Sequence, residues 1–216
     1  MKDRTSQNAT LAIPIANLIK DLSESQNTKK GPPNAAKMAE LSASLMIQAA
    51  GDDLEREGLL RTPERFGKAW LELTSGYRKT AREVSGKGVF DSESPGLVSV
   101  KDIEFYSLCE HHMLPFWGKI SIGYYPTKKI LGLSKLPRIV EVYARRLQVQ
   151  ERMTHDIGQS IHELLKPRAL AVRAQACHLC MMMRGVQKQN AFTITEAQFG
   201  LENLTPREQD RLWNAL

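Results

Sequence analysis

The sequence predicts an α+β fold built on an antiparallel sheet, and three observations predict it. Ile120, Ile122 and Tyr124 alternate with small residues at the two-residue period of a strand, and Val98, Val100, Ile103 and Phe105 mark strand-like stretches before them. Leu136, Ile139, Val140, Tyr143 and Leu147 then recur at helical spacing, as do Met153, Ile157, Ile161, Leu164 and Leu165. Two more strand-like stretches follow, over residues 169–176 and 191–195. The order is therefore strand pair, helix pair, strand pair, which suits antiparallel pairing better than a repeated βαβ unit.

The elements ahead of this body read differently. Residues 1–33 are polar and mixed and end on the breaker Gly31-Pro32-Pro33, so a flexible tail is expected there. Its short apolar stretch, residues 11–19, is broken by Pro14 and Asn17 and does not read as a signal peptide. From Asn34 a helix is expected, with Met38, Leu41, Leu45 and Met46 on its apolar side and Gly51 as its stop. A second helix starts at Thr62-Pro63, where Thr suits the cap and Pro the first turn, and Glu64 complements the helix dipole. Residues 34–95 are taken as an N-terminal helical part, 96–200 as the main domain and 201–216 as a charged C-terminal tail.

Composition narrows the function classes. A chain of 216 residues that is 42% hydrophobic and 25% charged can bury a core of its own. No apolar run is long enough to span a bilayer. Three cysteines, an odd number without a secretory signal, argue for a reducing compartment, hence the cytoplasm, and against a disulfide framework. The net charge of +6 suits a polyanionic ligand, either a nucleic acid or a nucleotide triphosphate. Only 6% of the residues are aromatic, which gives little support to a base-stacking surface.

The chemistry concentrates in two tetrapeptides, Cys109-Glu110-His111-His112 and Cys177-His178-Leu179-Cys180, which hold all the cysteines. Thiolate and imidazole together are the donors zinc selects. Cys109 and His112 have a spacing that one tight turn can present, and so do Cys177 and Cys180. All four would make a closed structural site, and three with water a catalytic one. The thiols could also be small buried hydrophobes with no metal. The spare histidines His111 and His178 favour catalysis, because a neutral imidazole beside metal-bound water can move protons.

Between the clusters, Gly132-Leu133-Ser134-Lys135-Leu136-Pro137-Arg138 leads from a strand into a helix. A helix start offers free N–H groups to an anion. Ser134, Lys135 and Arg138 add a hydroxyl and two cations, and Arg184 brings another from the second cluster. Together they suit a triphosphate, although the glycine-rich run of a Walker loop is missing. Each alone also suits a solvated helix start. Glu151 lies at the junction of the two body helices. A carboxylate there can accept from the ring N–H and exocyclic amine of guanine, but spacing alone assigns it only a junction charge.

Read together, Ser107-Leu108-Cys109-Glu110-His111-His112, Gly132-Leu133-Ser134-Lys135, Gln148-Val149-Gln150-Glu151-Arg152, His178-Leu179-Cys180 and Arg184-Gly185-Val186 closely resemble GTP cyclohydrolase I. So does the stretch from Glu57 to Arg65. The resemblance implies a tunnelling fold, an antiparallel sheet with two helices on one face, preceded by an N-terminal helical part. It implies a homo-oligomer, usually a decamer, in which the sheets of several subunits close into a barrel and active sites lie between subunits. The implied reaction is zinc-dependent opening of the guanine imidazole ring of GTP, with release of formate and reclosure to 7,8-dihydroneopterin triphosphate. Carried over by position, Cys109, His112 and Cys180 are the zinc ligands and leave a position for water. His178 is the acid toward the imidazole ring, and His111 a proton-transfer partner. Glu151 anchors guanine, helped by Gln150 and the backbone near Leu133. Ser134, Lys135, Arg138 and Arg184 contact ribose and triphosphate, with Lys68 reaching the phosphates from the second helix.

Two stretches depart from that family pattern. Cys177 stands where a small polar residue is expected, so it is either a fourth ligand or a free thiol, and we read it as the second. Residues 196–216 do not follow the usual closing segment. Two rival readings stand beside the resemblance: a non-catalytic zinc module binding nucleic acid through its basic surface, and a same-fold enzyme on another purine or pterin.

Overall fold

The computed structural model describes residues 34–216, so the tail expected over residues 1–33 lies outside the described residues. The chain forms two compact units that divide between Glu72 and Leu73.

The first unit holds helix α1, Ala35–Ala49, and most of helix α2, Thr62–Leu73. Helix α1 stops where expected, and Gly51 takes the left-handed conformation (φ 81). Its buried face differs from the expected one. Ala39 and Ala43 are buried, whereas Leu45 and Met46 are exposed. Small residues win there because α2 comes close: a Cβ on its buried Gly67 would lie 2.7 Å from the Ala36 carbonyl oxygen. Thr62 does not cap α2 through its hydroxyl, which instead donates back to the Gly58 carbonyl oxygen at 3.4 Å.

The second unit opens with a 3-10 turn, Ser75–Arg78, a short helix α3, Ala81–Ser85, and strand β1, Val89–Asp91. Strands β2, Val98–Cys109, β3, Pro115–Tyr125, and β4, Lys129–Leu131, follow. Next come helix α4, Lys135–Ala144, the two-residue strand β5, Leu147–Gln148, and helix α5, Gln150–Leu165. Strand β6, Ala169–His178, helix α6, Leu179–Met182, and strand β7, Thr193–Phe199, complete the body. β1 pairs with β4, and the main sheet has the order β5-β2-β3-β6-β7. It is antiparallel except for β5, which runs parallel to the end of β2. This is the tunnelling-fold arrangement, with α4 and α5 packed on one face of the sheet.

One bulge reconciles the pattern of β2. Val98 and Val100 are even-numbered and Ile103 and Phe105 odd-numbered, yet all four pack into one core. The register shifts between Val100 and Ile103, where Asp102 sits at φ 56 and donates its N–H to Ser121 Oγ at 3.3 Å. The extra residue returns the strand to the same face. That core includes Phe105, Phe116, Ile120, Leu136, Ile139, Met153, Ile157 and Ile161, all 0–1% exposed. Each such burial contributes about 1.5–3 kcal/mol relative to exposure.

Leu147 does not continue the face of α4, as its spacing suggested. The helix ends at Ala144, and Leu147 pairs with Leu108 in β5. The last strand also starts and ends later than expected, so residues 196–199 are sheet. Residues 201–216 are no free tail. They form a 3-10 turn, Leu201–Asn203, and helix α7, Pro206–Asn214. Its Leu212 is fully buried against Tyr125, Ala169, Ala171 and Leu204, on the sheet face that α4 and α5 leave open. No helix among the described residues is long and apolar enough to cross a membrane.

The docking of α7 has an acid limit. Thr205 and Glu208 form a reciprocal capping box, and Glu208 also pairs with Arg168. Hydrogen bonds from the Thr205 backbone first, then Arg168, hold the Glu208 carboxyl below its ordinary value of 4.5. A depressed carboxyl contributes stability that is present above its unfolded value and is lost as pH falls through the folded one. Amide exchange in α7 is therefore expected to accelerate below pH 4.5, ahead of β3 and β6. Glu208→Gln should abolish that acid step; an unchanged step in the variant would remove Glu208 as its cause.

Candidate metal centre and active site

The two clusters meet because their strands end at one edge of the same sheet. Cys109 is the last residue of β2, and a tight turn follows. Its N–H donates to the Leu114 carbonyl oxygen at 2.8 Å, and Met113 donates back to the Cys109 carbonyl oxygen at 2.7 Å with φ 53. Opposite, β3 aligns Phe116 with His178 of β6, and Cys180 lies in the short helix just beyond. β3 can lie close to β6 here because of Gly118: a Cβ at that position would fall 1.9 Å from the Gln175 carbonyl oxygen.

The outcome is a cluster of Cys109, His112 and Cys180 whose donor atoms all lie within 4.8 Å of one another. It is a group that can hold a metal ion. His111 places Nδ1 3.7 Å from Cys109 Sγ, nearer than the 4.0 Å of His112 Nδ1, yet it is not a member of the cluster. Burial first, then the neighbouring Cys109, pushes the Cys180 thiol above its ordinary value. Two thiols so placed resist joint ionisation unless a cation lies between them, and two thiolates with one imidazole form a donor set that suits zinc. The chain therefore fits the metal that its motifs imply.

Cys177 is not part of this group. Strand alternation turns it to the other side of β6, where it lines a cleft of about 650 Å³ with Tyr106, Trp117, Lys119 and Arg173. All three cysteines are free. A closed four-ligand site that includes Cys177 is not formed.

His178 is half-buried and stacks on Phe116, with ring centroids 4.6 Å apart and planes within 4°. Burial pushes its pKa below the ordinary histidine value, opposed by the charge of Glu151. Its Nε2 lies 2.9 Å from Gln150 Oε1. The resemblance gives Gln150 a part in holding the base, but its side chain is buried and points elsewhere: Nε2 donates to the Ala174 carbonyl oxygen at 3.1 Å, the Thr193 carbonyl oxygen at 3.0 Å and Thr195 Oγ1 at 3.1 Å. Glu151, next in sequence, is exposed at the start of α5. Arg184 is exposed beside Cys180, to whose carbonyl oxygen it donates at 3.5 Å.

Two features went unread in the sequence. Phe116 supplies the platform for His178, and only the β3–β6 register reveals it. Arg152 ties the metal-bearing turn to α5, donating to Glu110 and, at 3.1 Å, to Gln148 Oε1. That guanidinium holds the Glu110 carboxyl below its ordinary value. Opposite charges in the two motifs, Glu110 and Arg152, were the available signal.

The expected phosphate contacts lie elsewhere. Ser134 precedes α4 with its hydroxyl unused as a cap, and Leu133 and Arg138 are exposed. Lys135 lies over Gly88, where a Cβ would meet its Cε at 2.6 Å, and Nζ donates to the Val84 carbonyl oxygen at 3.4 Å. This segment follows β4, whose Leu131 N–H donates to the Tyr124 hydroxyl oxygen. Tyr124 pairs with Val98 at one end of the β2–β3 ladder, whereas Cys109 adjoins Leu108–Pro115 at the other. The two ends are about 30 Å apart along the strands. One chain thus gathers Cys109, His111, His112, Gln150, Glu151, His178, Cys180 and Arg184 at one end, and sets Leu133, Ser134 and Lys135 after β4 at the start of α4, with Arg138 one turn further along that helix. Lys68 lies in the first unit, paired with Glu64 at 2.5 Å.

A sequence model described as GTP cyclohydrolase I matches residues 39–216, so the C-terminal stretch that departs from the expected pattern falls inside the match. A GTP cyclohydrolase 1 of Deinococcus radiodurans is 52% identical over 170 residues, covering 79% of this chain and 79% of its own. One of Chlorobaculum tepidum is 54% identical over 155 residues, covering 72% of this chain and 69% of its own. One of Drosophila melanogaster is 44% identical over 187 residues, covering 86% of this chain and 58% of its own. The chain belongs to the GTP cyclohydrolase I family.

Proposed function

We propose that this protein opens the imidazole ring of GTP by hydrolysis, releases C8 as formate and recloses the product to 7,8-dihydroneopterin triphosphate. The observation that carries the reading is the cluster of Cys109, His112 and Cys180 with His178 beside it, in a chain of this family. Cys109, His112 and Cys180 would hold zinc, which when bound makes water acidic enough to act as a nucleophile near neutral pH. Glu151 accepts from the ring N–H and exocyclic amine of guanine and so orients the base. His178, kept neutral at rest by burial, takes up a proton and delivers it to the imidazole nitrogen as the C8–N bond breaks. His111, exposed on the adjacent turn, serves the later proton transfers. Overall the reaction consumes water and balances as GTP plus water to formate plus product.

The triphosphate contacts imply more than one chain. Ser134 and Lys135 stand at the start of α4, and Cys109 adjoins β5 beyond its end, with about 15 Å of helix between them. A neighbouring subunit can supply them, and Lys68, beside the thiols, with Arg184 from the metal end. The site is then completed only in a homo-oligomer, and we assign a ring whose sheets close into a barrel, as in a decamer. The test is formate release and pterin fluorescence after oxidation, with and without a zinc chelator, alongside light scattering. Formate and fluorophore, both lost on chelation, from an oligomer are the expected result. No formate from folded, zinc-loaded protein would overturn the reaction, and full activity from a stable monomer would overturn the shared site.

A further inference from the structure

We infer that Gln150 is a positioning residue for His178, fixing its ring so that Nε2 keeps a hydrogen and Nδ1 is the nitrogen that exchanges protons with substrate. The inference rests on the reading of His178 as the proton donor and adds which atom performs the transfer and what selects it.

Donors and acceptors around Gln150 fix which way its amide points. Gln150 is 2% exposed, and its two amide ends meet different surroundings. One end faces the carbonyl oxygens of Ala174 and Thr193, which only accept, and Thr195 Oγ1. Turning the amide over would set Oε1 against two carbonyl oxygens, acceptor against acceptor, in a buried place. The hydroxyls agree with this orientation. Thr154 Oγ1 donates to the Gln150 carbonyl oxygen at 2.7 Å, so in the 2.7 Å contact between Thr154 and Thr195 the hydrogen comes from Thr195. Thr195 Oγ1 is then free to accept from the amide. The nitrogen end is thus fixed toward β6 and β7, and Oε1 toward His178.

An oxygen of an amide cannot donate. The 2.9 Å contact therefore requires a hydrogen on His178 Nε2. A neutral imidazole carries one such hydrogen, so Nδ1 is its open acceptor, and a proton gained and handed on passes through Nδ1. Phe116, stacked on the ring face, leaves rotation about the ring axis as the remaining freedom, and Gln150 removes it. The chain of contacts reaches from the metal edge to β7 and the first turn of α5.

The test reads the tautomer directly. Protein labelled with ¹⁵N at histidine is measured by magic-angle-spinning spectroscopy, with the His178 resonances assigned by their loss in His178→Asn. The expected wild-type pattern is a protonated Nε2 and an unprotonated Nδ1. Gln150→Leu should give mixed tautomers and lower kcat about tenfold, with KM for GTP within about twofold. Hydrogen on Nδ1 in the wild type would overturn the proposal, as would unchanged tautomer and kcat in Gln150→Leu. A variant that raises KM alone would return Gln150 to base binding. Should Gln150→Leu fail to fold, the wild-type spectrum decides. The spectrum needs no turnover, so its outcome is independent of whether GTP is the substrate.

Discussion

Replacing Cys180 with serine is expected to remove bound metal and reduce formate release by about a thousandfold, whereas Cys177→Ser should leave both within about twofold. The two cysteines stand three positions apart and share one motif, yet they face opposite sides of the sheet. Cys180 joins Cys109 and His112 in a cluster of donors within 4.8 Å. Cys177 lines the cleft on the other face, beside Trp117. A divalent ion supplies several kcal/mol of charge stabilisation to such a hydrolysis, and each 1.36 kcal/mol is a factor of about ten. Metal content by atomic emission, measured on the same preparations as activity, checks the contrast. Equal metal loss in both variants would show that Cys177 reaches the ion and that the three-ligand assignment is wrong.

The second large effect is expected at Glu151. Glu151→Gln should lower kcat/KM for GTP by about a hundredfold, chiefly through KM. A carboxylate accepting two hydrogen bonds from guanine loses its charge assistance on amidation, and one amide end becomes a donor facing a donor. Hydrogen bonds to charged groups contribute about 1.5–3 kcal/mol each, and losing part of two such bonds gives that magnitude. The residue is exposed at the start of α5, so the fold should not suffer. Steady-state kinetics with GTP and ATP provide the check. An unchanged KM for GTP would remove Glu151 from the base-binding role.

Particular residues show why some of this was legible in the sequence and some was not. The strand through Ile120, Ile122 and Tyr124 and the helix through Met153, Ile157 and Ile161 were readable because their large apolar residues recur on the core side over several periods. Helix α1 misled, since Leu45 and Met46 carry the hydrophobicity while Ala39 and Ala43 carry the contact. Close approach selects small side chains, and a hydrophobic count does not register that. The bulge at Asp102 was foreshadowed by the change from even to odd apolar positions between Val100 and Ile103. Cys177 follows the same logic: continuing the alternation of β6 as far as His178 places Cys177 on the opposite face. The role of Gln150 was beyond reach, because it depends on three acceptors from β6 and β7 that only the folded chain assembles. The distance between the metal edge and Ser134-Lys135 was equally hidden, since proximity in sequence says nothing of which end of a strand a segment returns to.

The strand order carries a consequence for how the protein matures. Cys109 ends β2 and Cys180 follows β6, and β3 runs between those two strands. The β2–β3 hairpin, the most local pairing in the sheet, presents only Cys109 and His112. The third donor arrives when the chain has closed a long loop through α4 and α5, a step that is slower because loop closure costs more entropy as separation grows. A chain emerging in order is therefore expected to present two of the donors first and the third only after β6 has formed. In refolding, metal capture should coincide with the final cooperative phase, so that ion uptake is itself a clock for completion of the sheet.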